Sequence, residues 1–164
     1  MRVYRLCRAS YPPYDGEGAR RAGGRWNSKG ARVVYMSENR SLAVLEILVH
    51  LSDVLPDNVL GSADLPDDVS PEILTDKELP ENWATLVVGE QYTTRQLGDE
   101  WLRRGNSAAL SVPSVTSGER NFLLNPEHPQ FRQIDFHDPV PFRFDIRLLR
   151  MSQDAVHSPK PTSQ

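Results

Sequence analysis

Apolar residues in this chain come in short bursts separated by proline and glycine, and the period of each burst predicts its element. Val3, Leu6 and the residues between them read as a strand, Arg2 to Arg8. Tyr11 to Gly18 reads as a loop from its proline and glycine content. Arg25 to Asn27 and Ala31 to Ser37 read as a hairpin around Lys29-Gly30. A helix is expected from about Ser41 to Ser52, capped by Asn39 or Ser41 and apolar nearly all round, hence buried between layers. Asn58 to Leu65 reads as a strand. Ser70-Pro71-Glu72 has the form of a helix start, giving one or two turns before Pro80. Trp83 and Leu86-Val87-Val88 are expected on the core.

A second amphipathic helix is expected from a cap at Thr93 or Thr94 to about Arg104, stopped by Gly105, with Leu97, Trp101 and Leu102 on its apolar face. Ala108 to Val112 reads as a strand ended by Pro113, with Ser114 at its exit. Glu119 to Pro126 reads as a loop or short helix, and Phe131 to Phe136 and Phe142 to Leu149 as closing strands. Met151 to Gln164 carries no apolar pattern and reads as a disordered tail after a domain spanning residues 1–150.

Composition narrows the class. A chain of 164 residues, 38% hydrophobic and 25% charged, suits one globular domain. A net charge of −3 gives no global basic field for nucleic acid; Arg20-Arg21-Arg25-Trp26 is the nearest candidate and is weak. Cys7 is the single cysteine, so no intrachain disulfide forms, which fits a reducing compartment. No apolar run is long enough to span a bilayer, and the N-terminus lacks a signal-type apolar region, so the cytoplasm is the expected location. There is no phosphate loop, no dinucleotide fingerprint and no nucleophile elbow. The four histidines, His50, His128, His137 and His157, lack metal-ligand spacing, so no metal is expected.

The chemistry gathers between Gly23 and Leu51. Glu46 interrupts the apolar helix, and an ionised carboxylate there must be paired, protonated or facing a cleft. Its alternative is a solvent-facing residue supporting His50 one turn later. Arg25 and Tyr35 lie upstream on the expected hairpin. Taken singly, Arg25 reads as a surface arginine and Tyr35 as a core aromatic; together with Glu46 they read as a polar site inside an apolar layer.

Gly23-Gly24-Arg25-Trp26-Asn27-Ser28-Lys29-Gly30, Val34-Tyr35-Met36-Ser37 and Leu42-Ala43-Val44-Leu45-Glu46 resemble the RES domain. So do Val112-Pro113-Ser114, Asn121-Phe122-Leu123-Leu124-Asn125-Pro126-Glu127-His128-Pro129 and Pro141-Phe142-Arg143-Phe144-Asp145-Ile146-Arg147-Leu148. The similarity runs from Arg2 to about Leu149. The arginine, glutamate and serine that name the domain map onto Arg25, Glu46 and Ser114, with Ser111 close by as the other serine. The resemblance implies a toxin of a type II toxin–antitoxin pair with an α+β fold of ADP-ribosyltransferase type: two mostly antiparallel sheets with flanking helices around an NAD cleft. It implies NAD as substrate rather than cofactor, and an Xre-like antitoxin as partner in a higher-order complex. Direct contact with nucleic acid or membrane is not expected.

Residue chemistry agrees with what the resemblance implies. A pyrophosphate suits the planar, paired donors of Arg25. Nicotinamide is a flat cation on which Tyr35 or Trp26 can stack. Ser114 and Asn121 complete the expected substrate contacts, with Glu46, Arg25 and Tyr35 as the catalytic set. Breaking the N-glycosidic bond passes through an oxocarbenium-like state that a carboxylate stabilises. Nicotinamide leaves neutral, so one carboxylate, Glu46, suffices. Three functions are compatible: an NAD hydrolase or phosphorylase, a mono-ADP-ribosyltransferase acting on a host protein, and a non-enzymatic binding module.

Overall fold

The computed structural model describes residues 1–49, 57–84, 92–145 and 147–148. Its strands are β1 (Arg2–Arg8), β2 (Val34–Ser37), β3 (Asn58–Asp64), β4 (Glu72–Ile73), β5 (Ala109–Pro113), β6 (Arg120–Leu124), β7 (Asp135–Phe136) and β8 (Val140–Phe142). Its α-helices are α1 (Glu17–Ala22), α2 (Arg40–Leu48) and α3 (Tyr92–Arg104). The class is α+β. All the described strands join in one sheet of order β4-β5-β6-β2-β1-β3-β7, with β8 also on β3. Every pairing is antiparallel except β4 with β5. The two separate sheets expected from the sequence are therefore one hydrogen-bonded path, but its middle link is thin. β1 meets β3 over seven register pairs and β2 at one, Tyr4 opposite Ser37.

Strand alternation sorts side chains to two faces. Val3, Val34, Met36, Ala63, Phe122 and Leu124 pack on one face with Ile134 and Phe136. The other face is divided. α2 covers its β1–β3 half through Ala43, against Leu6 and Leu60. α3 covers the β2–β6–β5 half, Trp101 packing with Leu110, Val112 and Leu123. Full burial of Trp101 (1% exposed) contributes on the order of 2–3 kcal/mol, typical of a large apolar side chain. A cleft opens between these two covered halves.

Several elements depart from expectation. Arg25 to Asn27 form no strand, and β2 pairs with β1 and β6 instead. The Asn27 side-chain amide takes the carbonyls of Ala19, Ser28 and Ala31, folding this segment into a knot that no ladder is needed to satisfy. The Tyr11–Gly18 loop turns into α1, and its Tyr14 packs on Phe136 on the face away from the cleft. Glu72-Ile73 is a strand rather than a helix start, followed by a 3-10 turn at Asp76–Glu78 closed by a Thr75–Glu78 capping box.

Arg120 to Leu124 is a strand, not a loop or short helix: it is zipped between β2 and β5 and buried on both faces, which erases alternation. Pro129–Gln133 is a 3-10 turn, and β7 and β8 both dock on β3 rather than on each other. α3 begins before Thr94, whose buried hydroxyl donates to the Arg25 carbonyl instead of capping the helix. α2 is capped by Asn39 as expected, yet it covers the sheet from one side only: Leu42 and Ala43 are buried while Leu45 and Val49 are exposed. Its expected extension to Ser52, the Leu86–Val88 stretch and the tail after residue 150 lie outside the described residues. Among the described residues no helix is long and apolar enough to cross a membrane.

Candidate active site

Past the Tyr4–Ser37 pair, β1 and β2 cease to hydrogen-bond, and Arg5 Nη1 takes the Tyr35 carbonyl at 2.8 Å. The parting leaves a cavity of about 230 Å³, lined by Tyr4 to Arg8, Tyr35 to Ser37, Asn121 and, from α2, Ala43, Glu46 and Ile47. Arg5 Nε is itself buried and meets no hydrogen-bond partner among the described residues. The sequence reading passed over Arg5; its one signal was a cation in the middle of β1, flanked by Tyr4 and Leu6.

Glu46 is the centre of the cleft. One carboxylate oxygen, Oε1, accepts from Asn121 Nδ2 at 2.6 Å, Ser114 Oγ at 2.7 Å and Thr116 Oγ1 at 3.3 Å. Among the described residues no donor meets Oε2. The orientation of Asn121 is fixed from both ends. Ser37 Oγ donates to its Oδ1 at 2.8 Å, and the carboxylate, an acceptor only, requires its NH2. Ser114 is buried and also meets Thr116 Oγ1 at 2.8 Å. Hydrogen bonds to a charged group contribute roughly 1.5–3 kcal/mol each, enough to hold the side chain in one rotamer. Thr116 was not picked out from the sequence, because a hydroxyl in a Ser/Thr-rich turn carries no pattern of its own.

Ser111 has a different employment. Its hydroxyl accepts from Arg120 Nε at 2.9 Å, and the same guanidinium bonds the Ser111 and Leu74 carbonyls, tying β6 to β5 and the turn after β4. The serine beside Glu46 is Ser114.

Arg25 is held by its backbone. Thr94 Oγ1 donates to its carbonyl at 2.8 Å, and Arg95 Nε donates to the carbonyl of Gly24 at 2.8 Å. α3 approaches so closely that a Cβ on Gly98 would lie 1.8 Å from the Trp26 carbonyl oxygen, so only glycine fits. The Arg25 guanidinium is half-buried and donates to the Trp83 carbonyl at 2.9 Å. Burial pushes it below the usual arginine value, while the nearby carboxylate of Glu46 acts in the opposite sense.

Tyr35 lines the cavity, but its hydroxyl is enclosed: it accepts the Trp26 N–H at 3.2 Å and donates to Asn27 Oδ1 at 2.7 Å. Burial drives that phenol far above its ordinary value. Trp26 does not reach the cleft. It is 3% exposed and packs on Trp83 in the α3 core, so it supports Arg25 from behind and offers no face for stacking. Thus Glu46, Ser114 and Asn121 come together in direct contact; Tyr35 lines the same cavity, and Arg25, outside that lining, stands close enough for its charge and that of Glu46 to interact.

The arrangement is that of a small α+β protein with one carboxylate presented, between the halves of a parted sheet, amid hydroxyl, amide and guanidinium donors. The RES domain family model matches residues 2–145, and the chain belongs to that family. Relatives agree over nearly full length. The protein is 36% identical over 154 residues to Toxin Res of Yersinia enterocolitica, covering 90% of this chain and 99% of that one. It is 38% identical over 141 residues to the Prs ADP-ribosylating toxin of a Sphingobium species, covering 83% and 86%. In fold it is similar to the Mycobacterium tuberculosis MbcT–MbcA toxin–antitoxin complex, with a TM-score of 0.72 at 18% identity over 87% of this chain and 84% of the matched one. Within the RES family it stands with the toxins of toxin–antitoxin systems.

Proposed function

We propose that this toxin acts by consuming NAD, cleaving the bond between nicotinamide and ribose. With water as acceptor the products are nicotinamide and ADP-ribose; with inorganic phosphate, nicotinamide and the phosphate ester of ADP-ribose. The observation that carries the proposal is Glu46: one oxygen fixed by Ser114, Asn121 and Thr116, the other meeting no donor among the described residues, at a cavity flanked by arginines.

In this reading the substrate pyrophosphate is bound by Arg25 together with Arg5, which lines the cavity. A cavity of about 230 Å³ is smaller than the roughly 300–1,000 Å³ of common ligand sites, so it takes the nicotinamide riboside end while the rest lies along the open mouth. Tyr35 packs against the nicotinamide end with its ring. As the glycosidic bond lengthens, positive charge builds on the ribose, and the fixed Glu46 carboxylate stabilises it without having to reorganise. The same carboxylate orients the attacking water or phosphate. Nicotinamide departs neutral, so no general acid is required. An Xre-like antitoxin is the expected restraint, engaging the mouth of the cleft through a carboxylate or chain terminus on the arginines.

The second reading, transfer of ADP-ribose to a protein, is favoured by the Sphingobium relative, which is named for ADP-ribosylation. Purified protein incubated with NAD, with and without phosphate, separates the cases when nicotinamide is followed by chromatography. Release in water alone supports hydrolysis, release only with phosphate supports phosphorolysis, and release only with a protein acceptor that becomes labelled supports transfer. No nicotinamide in any arm overturns all three.

A further inference from the structure

Two side-chain ties join α2 and its cap to β6 and the turn before it, beside the Glu38 N–H bond to the Arg120 carbonyl, and only one of them touches the chemistry. The first is Glu46 with Ser114, Thr116 and Asn121. The second lies seven positions earlier, about two helical turns at 3.6 residues each, and so on the same face of the helix. There the Asn39 side chain divides its two ends. Oδ1 accepts the Leu42 N–H at 2.9 Å and closes the helix N-terminus; Nδ2 donates to Glu119 Oε1 at 2.7 Å. Glu119 is in turn fixed to the turn, its carbonyl accepting the Ser114 N–H at 2.8 Å, two residues before Asn121 in β6. The first tie holds one oxygen of the carboxylate whose other oxygen is left for a ligand or attacking group. The second can stay made throughout a reaction.

We propose that Glu119, acting through Asn39, is a positioning residue. It sets the placement of α2 along the β5–β6 turn, and thereby where the Glu46 carboxylate stands relative to Ser114, Asn121 and the reacting ribose. The proposal rests on Glu46 acting on NAD as described above. Neither Glu119 nor Asn39 touches the ligand; their contribution is the sub-ångström placement on which such a group depends, since a shift near 1 Å can cost about 10²-fold in rate.

Asn39→Asp tests this. It keeps the cap acceptor, at a helix end that favours negative charge, but exchanges the donor for a second carboxylate facing Glu119. The expected result is a melting temperature held within a few degrees, kcat for nicotinamide release lower by about tenfold or more, and KM within about twofold, the pattern of a loss felt mainly in the transition state. Adding Glu119→Gln reverses the polarity of the tie, the new amide donating to the new carboxylate, and is expected to return kcat to near wild type. Full turnover in Asn39→Asp, or a double variant no faster than the single one, overturns the proposal. If Asn39→Asp fails to fold, Asn39→Ser removes the same donor and keeps a capping hydroxyl, with the same reading. A wild-type protein that releases no nicotinamide overturns the NAD reading instead. Growth arrest on expression then serves as readout: its loss in Asn39→Asp and return in the double variant support the positioning role, and its persistence in Asn39→Asp overturns it. A chain that neither releases nicotinamide nor arrests growth overturns both.

Discussion

Two polar knots lie on the same face of the sheet, one around the Tyr35 hydroxyl and one around Glu46, and they are built to opposite ends. In the first, Asn27 is 0% exposed, and its amide, the Tyr35 hydroxyl and the Trp26 N–H satisfy one another and three further carbonyls. It closes on itself and packs under α3. In the second, every donor converges on one oxygen of a carboxylate that lines a cavity. A closed network specifies the fold, and an open one retains bonding capacity for something that arrives later. Substitutions in the first should therefore cost stability, and substitutions in the second should cost activity.

The largest separation is expected from Glu46→Ala, which should lower the rate of nicotinamide release by about 10²–10³, the order seen when an electrostatic stabiliser is removed. Glu46→Gln should keep or slightly raise the melting temperature, because groups placed for function often reduce stability; a fall of several kcal/mol in chemical denaturation would place Glu46 with the closed knot and break the comparison. Next, Asn27→Ala strands buried carbonyls and should cost about 2–3 kcal/mol, and Tyr35→Phe about 1–2 kcal/mol, read from denaturant midpoints, with turnover of the folded Tyr35→Phe protein changed only a few-fold. Ser114→Ala, removing one donor from Glu46, should slow turnover by roughly tenfold, while Ser111→Ala should leave turnover alone and lower stability through the lost Arg120 contact.

The smallest effect concerns a charge outside both knots. Arg20 and Arg21 hold the Glu17 carboxyl down, to about 2, through hydrogen bonds. A depressed folded-state value means its stabilisation is present above the ordinary carboxylate range and is lost as pH falls through that range toward about 2. Glu17→Gln should flatten this acid limb of a stability–pH curve and leave NAD turnover unchanged.

What was legible from sequence follows how local its cause is. The Asn39 cap, the Gly105 stop (φ 60°), and strands β1, β3 and β5 are set by neighbours in the chain, and each forms about where its pattern placed it. β6 was missed because its partners, β2 and β5, supply the reason for its being a strand. The site divided in the same way. The arginine, glutamate and serine that name the RES domain pointed to Glu46 and Ser114, and the structure joins these two directly. Trp26 is an aromatic beside Arg25 in sequence but buried behind it in space, a distinction made by the close packing at Gly98. Arg5 and Thr116 entered only once strands far apart in sequence were assembled.

The single register pair between β1 and β2 also bears on how the molecule comes apart. Cooperative unfolding of a sheet depends on the ladder that transmits loss of one strand to the next, and here the ladder narrows to Tyr4 and Ser37. The half formed by β1, β3, β7 and β8 and the half formed by β2, β4, β5 and β6 thus resemble two folding units sharing a border. Amides along that border should exchange with solvent sooner than those in the seven-pair β1–β3 ladder. A molecule lodged across the cleft touches both halves at once. It would act as a staple between them, slowing exchange on either side and merging two partial openings into one cooperative transition.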